Sequence, residues 1–194
     1  EPLMNQRGEI NDPDVRLLVG LAATLEPDYA PKADDPWAAS PFKWILSQPS
    51  RTKGAVGESL IAGWAAAKGF DVLRSPDSEA DRVIEGHRIE IKFSTLWKNG
   101  GFKFQQIRDQ EYDFCFCLGL SPFDAQAWLI PKPVLQDRPE GLVSQHTGAA
   151  GQDTSWLSFK ADGPYRWMTG HGGRLGEVER LLHVAGRGPH RGRQ

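Results

Sequence analysis

The feature that most constrains the fold is residues 80–93, ADRVIEGHRIEIKF. Two short runs of β-branched and alternating side chains flank Glu85-Gly86-His87, and a glycine within so short a connection favours a tight hairpin. Side chains alternate faces along a strand. With Glu85-Gly86 as the turn, Ile84 faces His87 and Asp81 faces Glu90; with Gly86-His87 as the turn, Asp81 faces Lys92. Either two-residue turn groups Asp81, Glu90 and Lys92 on one face and Ile84, Ile89 and Ile91 on the other. A three-residue turn would set Asp81 opposite Ile91 and destroy the grouping.

The surrounding pattern predicts an α/β plan with a mixed sheet. Residues 11–25 read as a helix with Pro13 in its first turn, 26–36 as a loop, and a short helix restarts at Ser40-Pro41. Residues 55–68 place Val56, Leu60, Trp64 and Ala67 at helical spacing, and Gly69 stops that helix. Strands are expected at 70–73, 80–84, 88–93, 113–120 and 125–130. The segment 94–101 reads as a loop and 104–111 as a helix. Residues 132–173 read as irregular, 174–185 as an amphipathic helix, and 186–194 as a basic tail. One domain is expected, with 1–50 a helical extension, 51–131 the core and 132–185 a C-terminal part. Cys115 and Cys117 face one side of an apolar strand and read as core. The seven Trp are expected to be mostly core, with Trp97 in its polar loop the exposed one.

Two adjacent carboxylates repel each other unless a cation lies between them, and a hard divalent metal with oxygen ligands relieves that repulsion. A Lys beside the metal orients a water or stabilises the charge that develops when water attacks a phosphate. The set Asp81, Glu90 and Lys92 thus carries the chemistry of metal-assisted phosphodiester hydrolysis. Asp81, eight intervening residues, then Glu90-Ile91-Lys92 resembles the motif of the PD-(D/E)XK nuclease superfamily, which includes most type II restriction endonucleases. The resemblance spans about residues 51–131 and implies a restriction-endonuclease-like αβββαβ core. It implies that Asp81 and Glu90 ligate Mg²⁺ (Mn²⁺ able to substitute), with the Ile91 carbonyl, and that Lys92 positions the attacking water. It further implies Glu58 as an accessory ligand and Gln105 or Gln106, on a following helix, as accessory site residues. The residue before Asp81 is Ala rather than Pro; Pro76-Asp77 is a literal Pro-Asp, but it lies in a turn-rich run.

Charge bears on the partner. The chain of 194 residues has a formal net charge of −2. Residues 1–36 hold 8 acidic and 3 basic residues, whereas 37–194 hold 17 acidic and 20 basic ones. The mildly basic remainder suits double-stranded DNA, with Arg51, Lys53, Ser94, Lys98, Lys103, Arg108, Arg166 and Arg174 as candidate contacts. A homodimer is expected, since both strands must be cut. Two rival readings keep the fold: a structure-specific nuclease resembling a junction resolvase, and a non-catalytic DNA-binding module. Residues 1–11 lack the apolar stretch of a signal peptide, and no apolar run approaches a bilayer span. The expected location is the cytoplasm. The chain begins at Glu rather than Met, consistent with processing or with a piece of something longer.

Overall fold

In the computed structural model, which describes residues 10–29, 35–145 and 154–187, the elements run α1 (Pro13–Tyr29), α2 (Lys43–Leu46), α3 (Ser50–Ala67), β1 (Val72–Arg74), β2 (Arg82–Ile84), β3 (His87–Thr95), β4 (Gly101–Arg108), β5 (Phe114–Leu120), β6 (Ala125–Pro131), α4 (Lys132–Gln136), β7 (Leu142–Gln145), β8 (Thr154–Lys160), a 3₁₀ turn (Arg166–His171) and α5 (Leu175–Gly186). Contacts divide the chain between Ala38 and Ala39 into two compact units. The first unit contains α1, which continues through Pro27 where a loop was expected and leaves Leu17, Leu18, Leu21 and Leu25 at least half exposed. The second unit contains every other element.

The hairpin closes with Glu85-Gly86 as its two-residue turn. Ile84 faces His87, and the turn residues Glu85 and Gly86 have φ of 51° and 79°. Two successive left-handed residues make the turn whose twist matches that of the flanking strands. A five-stranded sheet forms in the order β1-β2-β3-β5-β6, with β3 and β5 parallel and the other pairs antiparallel. One face carries Ile84, Ile89, Ile91, Phe116 and Leu129 into a core with Ile61 and Ala65 of α3 and Val178 and Leu182 of α5. The other face carries Cys115, Cys117, Trp128 and Ile130 into a second core.

That second core overturns two expectations. Residues 104–111 were expected to be a helix and 132–173 irregular. Instead β4, β8 and β7 form a three-stranded antiparallel sheet, with α4 and the 3₁₀ turn as further elements of the second segment. In β4, Phe102 and Phe104 point inward and Lys103 lies between them; in β8, Leu157 and Phe159 alternate with Trp156, Ser158 and Lys160. These are period-two patterns. A bulge between Phe104 and Ile107 adds a residue and turns Ile107 inward again, which makes the run imitate a helix. The described residues therefore place a strand, not a helix, in the crossover from β3 to β5. This departs from the expected αβββαβ order. The cysteines are core as expected, but only Trp37 and Trp128 among the seven Trp are buried; Trp97 is exposed as expected and Trp44 is exposed too. Residues 188–194 of the expected tail, and 146–153, lie outside the described residues.

Candidate active site

Glu90 and Lys92 occupy same-face positions of β3, beside Cys115 and Cys117 of the parallel strand β5. Lys92 Nζ lies 2.7 Å from Glu90 Oε1. Glu90 is only 5% exposed, which separates this pair from an ordinary surface ion pair. Asp81 sits just before β2. Its amide donates to the Ile89 carbonyl at 3.0 Å, and its carboxylate Oδ2 accepts from the Ile91 amide at 2.6 Å. The carboxylate is thus anchored on the strand segment that presents Glu90. The ladder itself ends at Arg82 opposite Ile89.

Burial pushes the Glu90 carboxyl above its ordinary range; the Lys92 ammonium opposes that, the Asp81 charge adds to it, and Arg108 offsets part. The dominance of burial means that the carboxylate form lacks full compensation from protein cations. Asp81 and Glu90 supply hard oxygen donors held close enough to repel each other. Among the described residues no three His, Cys, Asp or Glu side chains converge on one point. A cation here would rest on two carboxylates and a main-chain carbonyl such as that of Ile91, which suits Mg²⁺, an ion that retains several waters and binds through one or two carboxylates. The donor set fits the ion.

Glu58 reaches this region because α3 packs unusually close to β3. A Cβ built on Gly57 would lie 2.3 Å from Phe93 Cβ, so only glycine permits the approach. Glu58 Oε1 is ion-paired with Arg82, whose guanidinium also donates to the Asp81 carbonyl at 3.0 Å. Glu58 is therefore joined to Asp81 through Arg82, a residue the sequence reading missed although it directly follows Asp81. Glu58, Arg74, Ser75, Asp77, Asp81 and Arg82 line a hollow of about 430 Å³. Asp77, of the literal Pro-Asp, is paired with Arg88.

The other candidates are spread over several elements. Gln105 and Gln106 lie exposed at the bulge of β4, not on a helix, with Gln106 at φ 55°. Ser94 is buried, and its hydroxyl donates to the Thr95 carbonyl and accepts from the Lys103 amide, so it holds β3 to β4. Arg51 and Lys53 lie in the first turn of α3, Lys98 in the β3–β4 turn, and Lys103 and Arg108 on β4. Arg174 precedes α5 and lies 3.4 Å from Asp124; Arg166 is exposed.

No family model matches the chain, and no curated protein matches it. Among solved structures it is similar to that of a bacterial homing endonuclease, at 15% identity, covering 71% of this chain and 96% of that one, with a TM-score of 0.43. No helix among the described residues is long and apolar enough to cross a membrane.

Proposed function

We propose that this chain is a Mg²⁺-dependent endonuclease of the PD-(D/E)XK kind that hydrolyses phosphodiester bonds in double-stranded DNA, in the manner of a type II restriction enzyme and as a homodimer. The observation that carries the reading is the buried Glu90 carboxylate, 2.7 Å from Lys92 and within the field of Asp81. A carboxylate buried at this cost without full compensation is more characteristic of a working site than of a structural ion pair.

Asp81 and Glu90 would hold the ion, with the Ile91 carbonyl completing the protein's share. Bound there, Mg²⁺ would polarise a phosphate oxygen and lower the pKa of a coordinated water. The Ile91 amide, donating to Asp81 Oδ2, fixes which oxygen of that carboxylate remains available. Lys92 is restrained by Glu90 and kept mostly out of solvent. Its ammonium donates to the attacking water and then to the oxygen on which negative charge accumulates. Arg82 keeps Asp81 in place through its carbonyl, and Glu58 keeps Arg82 in place.

The test is incubation of the purified protein with mixed-sequence duplex DNA and Mg²⁺. Discrete fragments are expected. Lys92→Ala, Asp81→Asn and Glu90→Gln should each cut at least about 100-fold more slowly. A wild-type protein that never cuts, or a Lys92→Ala protein that cuts equally well, sinks the proposal. Cutting confined to branched DNA would move the assignment to a junction-resolving nuclease, and binding that Mg²⁺ never converts to cleavage would leave a non-catalytic module.

A further inference from the structure

The outer face of the three-stranded sheet holds an aromatic hollow that the catalytic reading does not use. It measures about 510 Å³ and is lined by Trp97, Lys103, Trp156, Lys160 and Tyr165, among others, with no Asp or Glu among the described residues of its wall. Its volume falls within the range of ordinary ligand pockets. Trp97, in the β3–β4 turn, is 47% exposed. The Lys103 ammonium lies 3.5 Å from the centroid of the Trp156 ring and 5.4 Å from that of Trp97. The Trp156 indole N–H and the Thr154 hydroxyl, on the same face of β8, are buried without hydrogen-bond partners, a rare condition in folded proteins.

Aromatic faces gather apolar planar groups, and ammonium groups at the same wall select for negative charge. A nucleotide with an unpaired base presents both. Its base has a π-face that stacks on Trp or Tyr without regard to sequence, and its phosphate pairs with lysine. The hollow is also coupled to the catalytic strand. The Lys103 amide donates to Ser94 Oγ at 3.0 Å, and Ser94 lies two positions beyond Lys92 on β3.

We infer that this hollow binds one unpaired nucleotide, its base against Trp97 and Trp156 and its phosphate at Lys103 and Lys160. This rests on the nuclease reading for its choice of DNA, and it adds a second nucleic-acid contact apart from the metal-binding carboxylates. The unpaired nucleotide has two sources, a single strand or a base lifted from a duplex.

Fluorescence anisotropy in EDTA separates them, with three labelled probes: a mixed-sequence single strand, a fully paired duplex, and the duplex with a one-base bulge. Wild-type protein should bind the bulged duplex, the single strand or both. Trp97→Ala and Trp156→Ala should weaken that binding at least about fivefold while changing affinity for the paired duplex less than about twofold. Trp156→Phe, which keeps a ring, should retain binding. Loss confined to the bulged probe identifies the lifted base, and loss on both probes includes the single strand. Trp97→Ala and Trp156→Ala proteins that bind both unpaired probes with wild-type affinity overturn the inference, as does a wild-type protein that binds neither. Cleavage is scored separately. A protein that binds through the tryptophans but never cuts refutes the nuclease reading and leaves the hollow standing.

Discussion

Glu90 ties the acid–base behaviour of the molecule to its stability. In metal-free solution its carboxyl holds a proton to higher pH in the folded chain than in the unfolded one, where the ordinary value is 4.5. The folded state therefore binds more protons above that value. The stability contributed by this group is fully present below 4.5 and is lost as pH rises through the folded value. Replacing Glu90 by Gln removes the titration. In EDTA, the melting temperature of Glu90→Gln relative to wild type should rise from about pH 5 to about pH 8. Mg²⁺ should raise the wild-type value most at the upper end, because the ion favours the charged carboxylate. A difference between the two proteins that stays constant across that range would contradict the burial argument. Gly57 gives a second test. Ala at this position drives a methyl into Phe93 and should cost about 1–3 kcal/mol in urea unfolding. Cleavage should fall as well, since Glu58 moves with the helix.

At the level of elements, β4 is the instructive case. Phe102 and Phe104 alternate with Lys103 as a half-buried strand should, but Gln105 and Gln106 both fall on the exposed side before Ile107 returns to the core. The extra residue shifts the phase of the pattern, so a periodicity reading over 104–111 finds a helical face. The bulge costs a left-handed backbone at Gln106, φ 55°. Gly tolerates that region and β-branched residues do not. Gln106→Val should therefore destabilise by about 1–2 kcal/mol while Gln106→Gly is neutral or stabilising, read from urea midpoints. β8 went unread for a different reason. Its inward residues Leu157 and Phe159 pair with Phe104 and Phe102 of β4, and Phe159 also packs on Trp128 of β6, so the short alternation at 156–160 gains its meaning from strands far back in the chain, in a Gly-rich neighbourhood that reads as irregular. The hairpin of β2 and β3, by contrast, was legible down to which residues share a face, because either two-residue turn keeps the same grouping; the register itself, Ile84 opposite His87, came from the structure.

Over the whole molecule, the two described cores are built entirely from residues beyond Ala39. A chain beginning at Ala39 should still unfold in one cooperative urea transition. Loss of that cooperativity would show that the first 38 residues are needed for the fold. The site followed the same division between local and distant information. Asp81, Glu90 and Lys92 lie within one hairpin and could be grouped by counting along it. Arg82 as the link between Glu58 and Asp81, and Trp156 as the floor beneath Lys103, depend on packing between segments far apart in the chain.

The pairing of β4 with β8 has a consequence for how the protein is made. Phe104 faces Leu157 and Phe102 faces Phe159, so an aromatic strand leaves the ribosome well before the strand that covers it. During that interval β5 and β6 can join the five-stranded sheet, with Phe102 against Gly119 and Phe104 against Trp128, while the β4 edge that β8 will pair with stays open on the nascent chain. Long-range strand pairing of this kind is slow and exposed to aggregation. The pace of translation between β4 and β8, and the chaperones that meet the chain there, will govern how much folded protein a cell recovers.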